Sequence, residues 1–313
     1  MRTDRDIDSF GAEPTPIALI GFGEAGAALA QGWGEAGVGV ALRAFDIKTT
    51  GADNALASAM WDRYGAAGVT GANTVSDATR GTRAVFSLVT ADSAHDAARA
   101  VAEEIPEGTF YFDCNSCAPG TKQASATVIE AAGGRYVDTA IMSPIHPKLH
   151  ASPMLVSGPH ARRAKALMAG LSMTVRVVEG DVGRASSIKM IRSVMVKGIE
   201  ALTLECILSA VEAGVAEEVV ASLDASMPGW DWAARAAYNM ERTTTHGIRR
   251  AAEMREVVRT VADLGIAARM TPATVAWQQA MGDLGLTGTP EDYQHRAEAI
   301  LAALGNAQME DTP

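Results

Sequence analysis

A glycine-rich turn near the start of the sequence has the spacing of a phosphate-binding loop. Residues 16–26 read PIALIGFGEAG, an apolar run followed by the pattern G-x-G-x-x-G. In this pattern the first glycine permits a tight turn, the second lets the backbone approach a pyrophosphate, and the third lets the next helix pack closely on the strand. The amides and the dipole at the helix N-terminus then face the phosphates. The pattern predicts a dinucleotide site that consists of Gly21, Phe22, Gly23, Glu24, Ala25 and Gly26.

An acidic residue stands at the position where such a site needs a ribose ligand. Asp46 ends the second predicted strand, 20 residues beyond Gly26. A carboxylate there accepts hydrogen bonds from ribose hydroxyls and repels a 2′-phosphate, which favours NAD over NADP. Lys48 would attract that phosphate, so NADP stays open as an alternative. We expect Asp46, Ile47 and Lys48 to contact the adenosine ribose.

A second glycine turn precedes a lysine whose position suits acid/base chemistry. Gly180 and Gly183 are followed by Lys189, which on a helix shares a face with Arg192 and Ser193. An apolar stripe lies about a third of a turn away and consists of Ile188, Ile191, Met195, Ile199 and Leu202. We expect this stripe to bury the helix while the lysine faces a cleft. Partial burial lowers the pKa of a lysine, and such a lysine can exchange a proton with a substrate hydroxyl during hydride transfer.

The elements that would position these groups alternate between β-rich and alanine-rich runs. We predict seven strands, at Ile17–Gly21, Val40–Asp46, Ala84–Thr90, Thr109–Asn115, Arg135–Ile141, Pro153–Ser157 and Thr174–Glu179. Strands separated by helices imply parallel crossovers, whereas the pattern from Gly183 to about Leu304 is helical. The predicted fold is an α/β Rossmann-type N-terminal domain, residues 16–182, plus an all-α C-terminal domain, residues 183–305, joined by a long interdomain helix.

Composition excludes several classes of partner. The chain has 313 residues, a net charge of −10 and three cysteines. The negative charge argues against nucleic acid or an anionic membrane as a partner, and three cysteines rule out a disulfide framework. Residues 1–16 are polar and lack the apolar run of a signal peptide, and no uncharged apolar run is long enough to span a membrane. We therefore expect a cytoplasmic enzyme with no membrane association.

In combination these motifs resemble the β-hydroxyacid dehydrogenase superfamily, which includes 3-hydroxyisobutyrate and 6-phosphogluconate dehydrogenases. The resemblance rests on the Gly21–Gly26 fingerprint, the Gly180-x-x-Gly183 turn and Lys189. It implies an NAD(P)-dependent dehydrogenase acting on a small 3-hydroxy acid or related polyol acid, with Lys189 as the general acid/base. It also implies a dimer whose subunits share residues at the active site. The nicotinamide contacts that it implies are Val89, Thr90 and Asn115.

The sequence also departs from the superfamily pattern. The usual D-A-P-V-S-G-G substrate loop reads DTAIMSP over residues 138–144, so the Ser-Gly-Gly backbone that holds a carboxylate is missing. Ser193 stands in place of the usual asparagine, and Val196 replaces a glutamate typical of 6-phosphogluconate dehydrogenase, which disfavours that activity. Residues 246–254, HGIRRAAEM, resemble instead the C-terminal domain of an uncharacterised phosphogluconate-dehydrogenase-like subgroup.

Polar residues beyond the cofactor motifs are candidates for binding an anionic substrate. The candidates are Ser116, Ser143, His146, Arg192, Ser193, His246 and Arg250, with His150 and Arg249 as their neighbours in the sequence. A polar surface loop and a solvated helix face are the alternative interpretations of the two histidine-containing segments. We expect no metal, because His146 and His150 lack carboxylate or cysteine partners in the sequence.

Two other functions stay open. The superfamily contains imine reductases, but those usually lack the lysine, so Lys189 weighs against this function. A non-catalytic dinucleotide sensor would explain the altered loop at Met142–Pro144.

Overall fold

Eight strands form one sheet in the first part of the chain. The computed structural model describes residues 14–310. The strands are β1 (Thr15–Ile20), β2 (Val40–Phe45), β3 (Thr70–Gly71), β4 (Ala84–Ser87), β5 (Phe110–Asp113), β6 (Arg135–Ile141), β7 (Met154–Ser157) and β8 (Val175–Val177). Their order in the sheet is β3-β2-β1-β4-β5-β6-β7-β8. All seven predicted strands are present, and the two-residue β3 was too short to leave a pattern in the sequence.

One strand breaks the expected parallel arrangement. β7 runs antiparallel to β6, whereas the other neighbouring pairs are parallel. The segment between β6 and β7 contains the 3₁₀ turn Leu149–Ala151 and no α-helix. A parallel return needs a crossover connection, usually helical, so this short segment favours the antiparallel pairing.

Helices cover both faces of the sheet. They are α1 (Glu24–Glu35), α2 (Asn54–Ala66), α3 (Val75–Thr79), α4 (Ala94–Ala102), α5 (Pro119–Ala131) and α6 (Ala161–Gly170). Alternate strand residues point to opposite faces. Phe86 and Phe112 pack with α1 and α6 on one face, while Tyr111 and Tyr136 pack with α4 and α5 on the other. This two-sided burial explains the nearly continuous apolar strands of the sequence.

The remaining chain is helical. The helices are α7 (Arg184–Glu212), α8 (Ala216–Ser226), α9 (Trp232–Asp263), α10 (Met270–Asp283) and α11 (Tyr293–Glu310). The chain divides into two compact units within α7, after Met190. In the second unit α9 and α10 cross closely at Gly247 and Gly282, since a Cβ on Gly247 would lie 2.4 Å from the Gln278 carbonyl oxygen. The predicted α/β domain, all-α region and long connecting helix are confirmed.

The buried face of α7 in the second unit is not the expected one. Met195 is 64% exposed and Leu202 61% exposed, so the predicted apolar stripe does not bury the helix within the chain. Lys197 and Glu200 are buried instead. Both are paired: Lys197 Nζ lies 2.6 Å from Glu253 Oε2, and Glu200 accepts from Arg250. Because each buried charge has a partner, the polar face can lie inside the helical core.

Among the described residues, no helix combines the length and the hydropathy that a membrane span would require.

Candidate active site

The glycine turn lies at the carboxyl end of β1, and two of its glycines are required by the local backbone. Gly21 has a φ of +87°, and a Cβ there would lie 2.7 Å from the Leu88 carbonyl oxygen. A Cβ on Gly26 would lie 2.7 Å from the Gly21 carbonyl oxygen. The turn therefore packs tightly against the start of α1 and against the segment that follows β4.

The remaining glycine of the turn, Gly23, faces open space. No atom of the described chain lies within 4 Å of the position that a Cβ on Gly23 would occupy. Gly23 is also the N-cap of α1 and, being a glycine, makes no side-chain capping bond to that helix. Open space beside a helix N-terminus and the positive end of its dipole suits a pyrophosphate.

Asp46 holds the turn from the end of β2. Its side chain is buried, and its Oδ2 accepts a hydrogen bond of 2.8 Å from the Phe22 amide. Its Oδ1 accepts a hydrogen bond of 3.1 Å from the Lys48 amide. Burial and the Asp46 charge together raise the pKa of Tyr64, whose ring packs 5.1 Å from that of Phe22. The side chains of Ile47 and Lys48 are exposed beside this carboxylate.

The loops after β4 and β5 contain the predicted nicotinamide contacts. Val89 is half-buried against Gly21, and Thr90 is exposed. Asn115 is buried, and its Nδ2 donates to Ser87 Oγ at 3.0 Å and to Asp113 Oδ1 at 2.8 Å. Its Oδ1 has no hydrogen-bond partner among the described residues. A buried acceptor without a donor fits a ligand N–H group, such as the carboxamide of a nicotinamide.

Lys189 lies in the second turn of α7. The first turn of α7 is anchored by Asp138 of β6, whose Oδ2 accepts from the Gly183 and Ser186 amides, each at 3.0 Å. Burial raises the pKa of the Cys114 thiol to about 12, and the Lys122 and Lys189 ammonium groups oppose this rise. Lys189 is therefore within electrostatic reach of Cys114, the residue before Asn115.

One buried ion cluster was not predicted from the sequence. Lys122 of α5 is fully buried, and its Nζ lies 2.9 Å from Asp113 Oδ1 and 3.8 Å from Asp138 Oδ1. Burial by itself would lower the pKa of Lys122, but the Asp113 and Asp138 carboxylates outweigh it and raise that pKa above its ordinary value. The signal in the sequence was a pair of carboxylates: Asp113 ends one apolar strand, and Asp138 lies inside the next.

The structure places the predicted substrate-binding residues in several environments. In the first unit Ser116 and Ser143 are half-buried and His146 is exposed, while His150 packs on Gly32 of α1. In the second unit Arg192 is exposed, Ser193 is buried and His246 is half-buried. Arg250 is buried in its ion pair with Glu200, which occupies its guanidinium. Of the part of the chain described, no three His, Cys, Asp or Glu side chains are grouped as metal ligands.

The sheet order and the glycine turn at the carboxyl end of β1 define a dinucleotide-binding protein of the Rossmann type. Residues 16–177 match the family described as the NAD binding domain of 6-phosphogluconate dehydrogenase. This match covers just over half of the chain, and the protein belongs to that family. Residues 210–281 match a domain of unknown function, DUF1932. The two matches confirm the predicted superfamily and its subgroup with an uncharacterised C-terminal domain.

Solved structures resemble the chain over most of its length. A conserved hypothetical protein from Sinorhizobium meliloti is 33% identical, with a TM-score of 0.67 and coverage of 94% of this chain and 97% of that one. The conserved protein MTH1747, described as structurally similar to 3-hydroxyacid dehydrogenases, is 27% identical, with a TM-score of 0.62 and coverage of 85% and 96%. The Mycobacterium tuberculosis 3-hydroxyisobutyrate dehydrogenase shares the fold, at 14% identity, a TM-score of 0.67 and coverage of 92% and 99%.

Proposed function

We propose that the protein is an NAD-dependent dehydrogenase that transfers a hydride between the nicotinamide and a small 3-hydroxy acid or a related polyol acid. The observation that supports this most strongly is the buried amide oxygen of Asn115, which has no hydrogen-bond donor among the described residues. The charge of Lys189 also acts on the thiol of Cys114, the residue before Asn115. A lysine amine that can accept a proton and an unsatisfied acceptor at the carboxyl edge of this sheet suit CH–OH oxidation on a nicotinamide.

The residues of this chain have distinct roles in the proposed reaction. A bound nicotinamide supplies the hydride acceptor. Lys189 in its neutral form takes the proton from the substrate hydroxyl as the C–H bond breaks, and it returns that proton in the reverse direction. Asn115 orients the carboxamide through its free oxygen, and the Gly23 amide region holds the pyrophosphate.

We assign the binding of an anionic substrate to polar residues that the sequence indicated. The proposed set is Ser116, Ser143, His146, Arg192, Ser193 and His246. Arg250 is left out of this set, because its guanidinium is paired with Glu200 inside the helical core. Replacing Arg192, which is exposed, by methionine should raise the KM for the acid and leave the Kd for the cofactor unchanged.

The choice of cofactor depends on two opposed charges at the end of β2. Asp46 is held by the Phe22 and Lys48 amides, and we propose that its charge makes NAD the preferred cofactor. Calorimetric titration with NAD and NADP should give the lower Kd for NAD. Lys48→Met, which removes the exposed cation, should weaken any residual NADP binding and leave NAD binding unchanged. A lower Kd for NADP in the unmodified protein would contradict the assignment.

We further propose a homodimer, with residues 16–182 as the cofactor domain and residues 183–305 as the substrate and dimerisation domain. The apolar stripe of α7 supports it, because Ile191, Met195 and Leu202 are each at least half exposed. A stripe of this kind suits a second copy of the chain. Met195→Glu should convert the dimer to a monomer in light scattering, whereas Ile266→Glu, at an exposed residue outside the stripe, should not.

A substrate panel tests the activity. The purified protein is mixed with 3-hydroxy acids, aldonates and imines, each with NAD and NADP, and the NADH or NADPH absorbance is followed. We expect turnover with a hydroxy acid. Lys189→Met should abolish it, and Lys165→Met, at an exposed lysine of α6, should not. Cofactor binding without turnover on any substrate would contradict the dehydrogenase proposal, and turnover on imines alone would replace it with an imine reductase.

A further inference from the structure

Three charged side chains of the first unit are completely buried. Asp113, Lys122 and Asp138 are each 0% exposed. The Lys122 ammonium donates to Asp113 Oδ1 at 2.9 Å and to the Asp113 carbonyl oxygen at 2.6 Å, and it lies 3.8 Å from Asp138 Oδ1. Burying charges costs more than packing apolar residues of the same size. The cluster therefore calls for an explanation beyond stability.

One side of the cluster leads to the proposed nicotinamide contact. Asp113 Oδ1 accepts from the Asn115 amide at 3.1 Å and from Asn115 Nδ2 at 2.8 Å. Asp113 Oδ2 accepts from the Tyr136 hydroxyl at 2.7 Å. With Nδ2 held in this way, the amide oxygen of Asn115 stays free for a ligand. The Asp113 carboxylate thus determines the orientation of the Asn115 side chain.

The other side leads to the helix of the proposed acid/base. Asp138 Oδ2 accepts from the Gly183 amide and from the amide and hydroxyl of Ser186. Ser186 and Lys189 are three residues apart on α7, so they lie on neighbouring positions of one helix face. The Asp138 carboxylate also binds the positive end of the helix dipole. It therefore fixes the start of α7 and, with it, the direction in which Lys189 leaves the helix.

Lys122 connects these two sides, although it is too deeply buried to touch a substrate. Asp113 and Asp138 are aligned neighbours on β5 and β6, and their two like charges would repel without a cation between them. We propose that Lys122 is a positioning residue that offsets the repulsion between the two carboxylates, orients Asn115 and the start of α7, and tunes the protonation of Lys189 through its charge. The link to catalysis rests on the proposed function of Lys189.

Replacing Lys122 or Asp138 should shift the pKa of Lys189 in opposite directions. The charged groups around the Cys114 thiol are Asp113 at the end of β5, Lys122 on α5, Asp138 on β6 and Lys189 on α7. Removing the positive charge of Lys122 leaves an excess of negative charge, which favours the ammonium form of Lys189. Removing the negative charge of Asp138 has the opposite effect. A unit charge that acts through partly solvated protein shifts such a pKa by about 0.5 to 1 unit.

The direction of the shift can be measured without any substrate. The chain has six lysines, so protein labelled with ¹³C and ¹⁵N lysine gives a resolvable set of side-chain signals, and Lys189→Arg assigns the relevant one. We expect Lys122→Met to raise the pKa of Lys189 and Asp138→Asn to lower it, each by about 0.5 to 1 unit. Lys165→Met, at an exposed site, should leave it unchanged.

Folding of the variants does not limit the test. If Lys122→Met does not fold, Asp138→Asn alone tests the direction of the Lys189 pKa shift. This variant should fold, because asparagine keeps the volume and an acceptor oxygen for the start of α7. Folded Asp138→Asn with an unchanged or raised Lys189 pKa would overturn the proposal, as would folded Lys122→Met with an unchanged or lowered one. If these shifts occur but the substrate panel shows no turnover, the proposed function fails and the electrostatic coupling stands. With turnover, the alkaline shift of the pH profile in Lys122→Met extends the coupling to catalysis.

Discussion

Replacing Gly23 by alanine should strongly weaken dinucleotide binding without unfolding the protein. The reason is the contrast between two glycines of the same turn. A Cβ on Gly23 meets no described atom within 4 Å, whereas a Cβ on Gly21 would lie 2.7 Å from the Leu88 carbonyl oxygen at a φ of +87°. Gly21→Ala is therefore the matched control: it should damage the fold, and Gly23→Ala should damage only the binding site.

The magnitudes follow from the local geometry. At Gly23, alanine is a poorer N-cap than glycine by about 0.5–1 kcal/mol, and the lower chain entropy of unfolded alanine offsets this by about 0.4–1 kcal/mol. The net change in unfolding free energy should be near zero. At Gly21, left-handed alanine costs about 1–2 kcal/mol, and the overlap with backbone that cannot move away raises the total to about 2–4 kcal/mol. In binding, losing one or two charge-assisted amide contacts to the pyrophosphate, each about 1.5–3 kcal/mol, weakens the Kd by about 10-fold to more than 1,000-fold.

Two measurements check the reasoning. Urea unfolding followed by the fluorescence of the five tryptophans gives the midpoint for each variant, and calorimetric titration gives the Kd for NAD. We expect a normal midpoint and a higher Kd for Gly23→Ala, and a lower midpoint for Gly21→Ala. If Gly23→Ala bound NAD with unchanged affinity, the open space beside Gly23 would not be the pyrophosphate site.

Further predictions concern buried charges and one histidine. Lys122→Met should lower the unfolding free energy by about 3–5 kcal/mol, because it leaves buried carboxylates unpaired, and the double variant with Asp113→Asn should recover part of this loss in urea unfolding. Asp46→Ala should weaken NAD binding in calorimetry, because it releases the Phe22 amide as well as the ribose contact. Burial lowers the pKa of His150 and the Glu35 charge opposes this, so the unfolded chain binds more protons in acid. Stability should therefore fall as the pH drops below the ordinary value of 6.5, and this slope should be smaller in His150→Gln when thermal unfolding is followed from pH 7.5 to 5.

Several features of the protein could be predicted because they are local in the sequence. Strand and helix periods, the G-x-G-x-x-G spacing and Asp46 at the end of β2 each depend on a few consecutive residues and on well-known backbone geometry. The helical second half was equally readable from its 3.6-residue pattern. The orientation of β7 could not be predicted in this way, because strand direction depends on how the connecting segment packs. The two-residue β3 was too short to produce a pattern.

Tertiary packing determined the buried face of α7 and the buried ion cluster. The apolar stripe of α7 predicted the wrong buried face, since Lys197 and Glu200 found partners on α9 that periodicity alone cannot reveal. The cluster of Lys122 with Asp113 and Asp138 depends on the register of β5 against β6 and on the position of α5.

The sequence by itself determined the cofactor-binding fold and the places of its glycine turn and of Asp46, because glycine and charge spacings act through the nearby backbone. Only the tertiary structure decided which charges are buried together and how Asp138 anchors the start of the Lys189 helix. These contacts join residues far apart in the chain, and their energies depend on burial and distance, which no linear pattern contains.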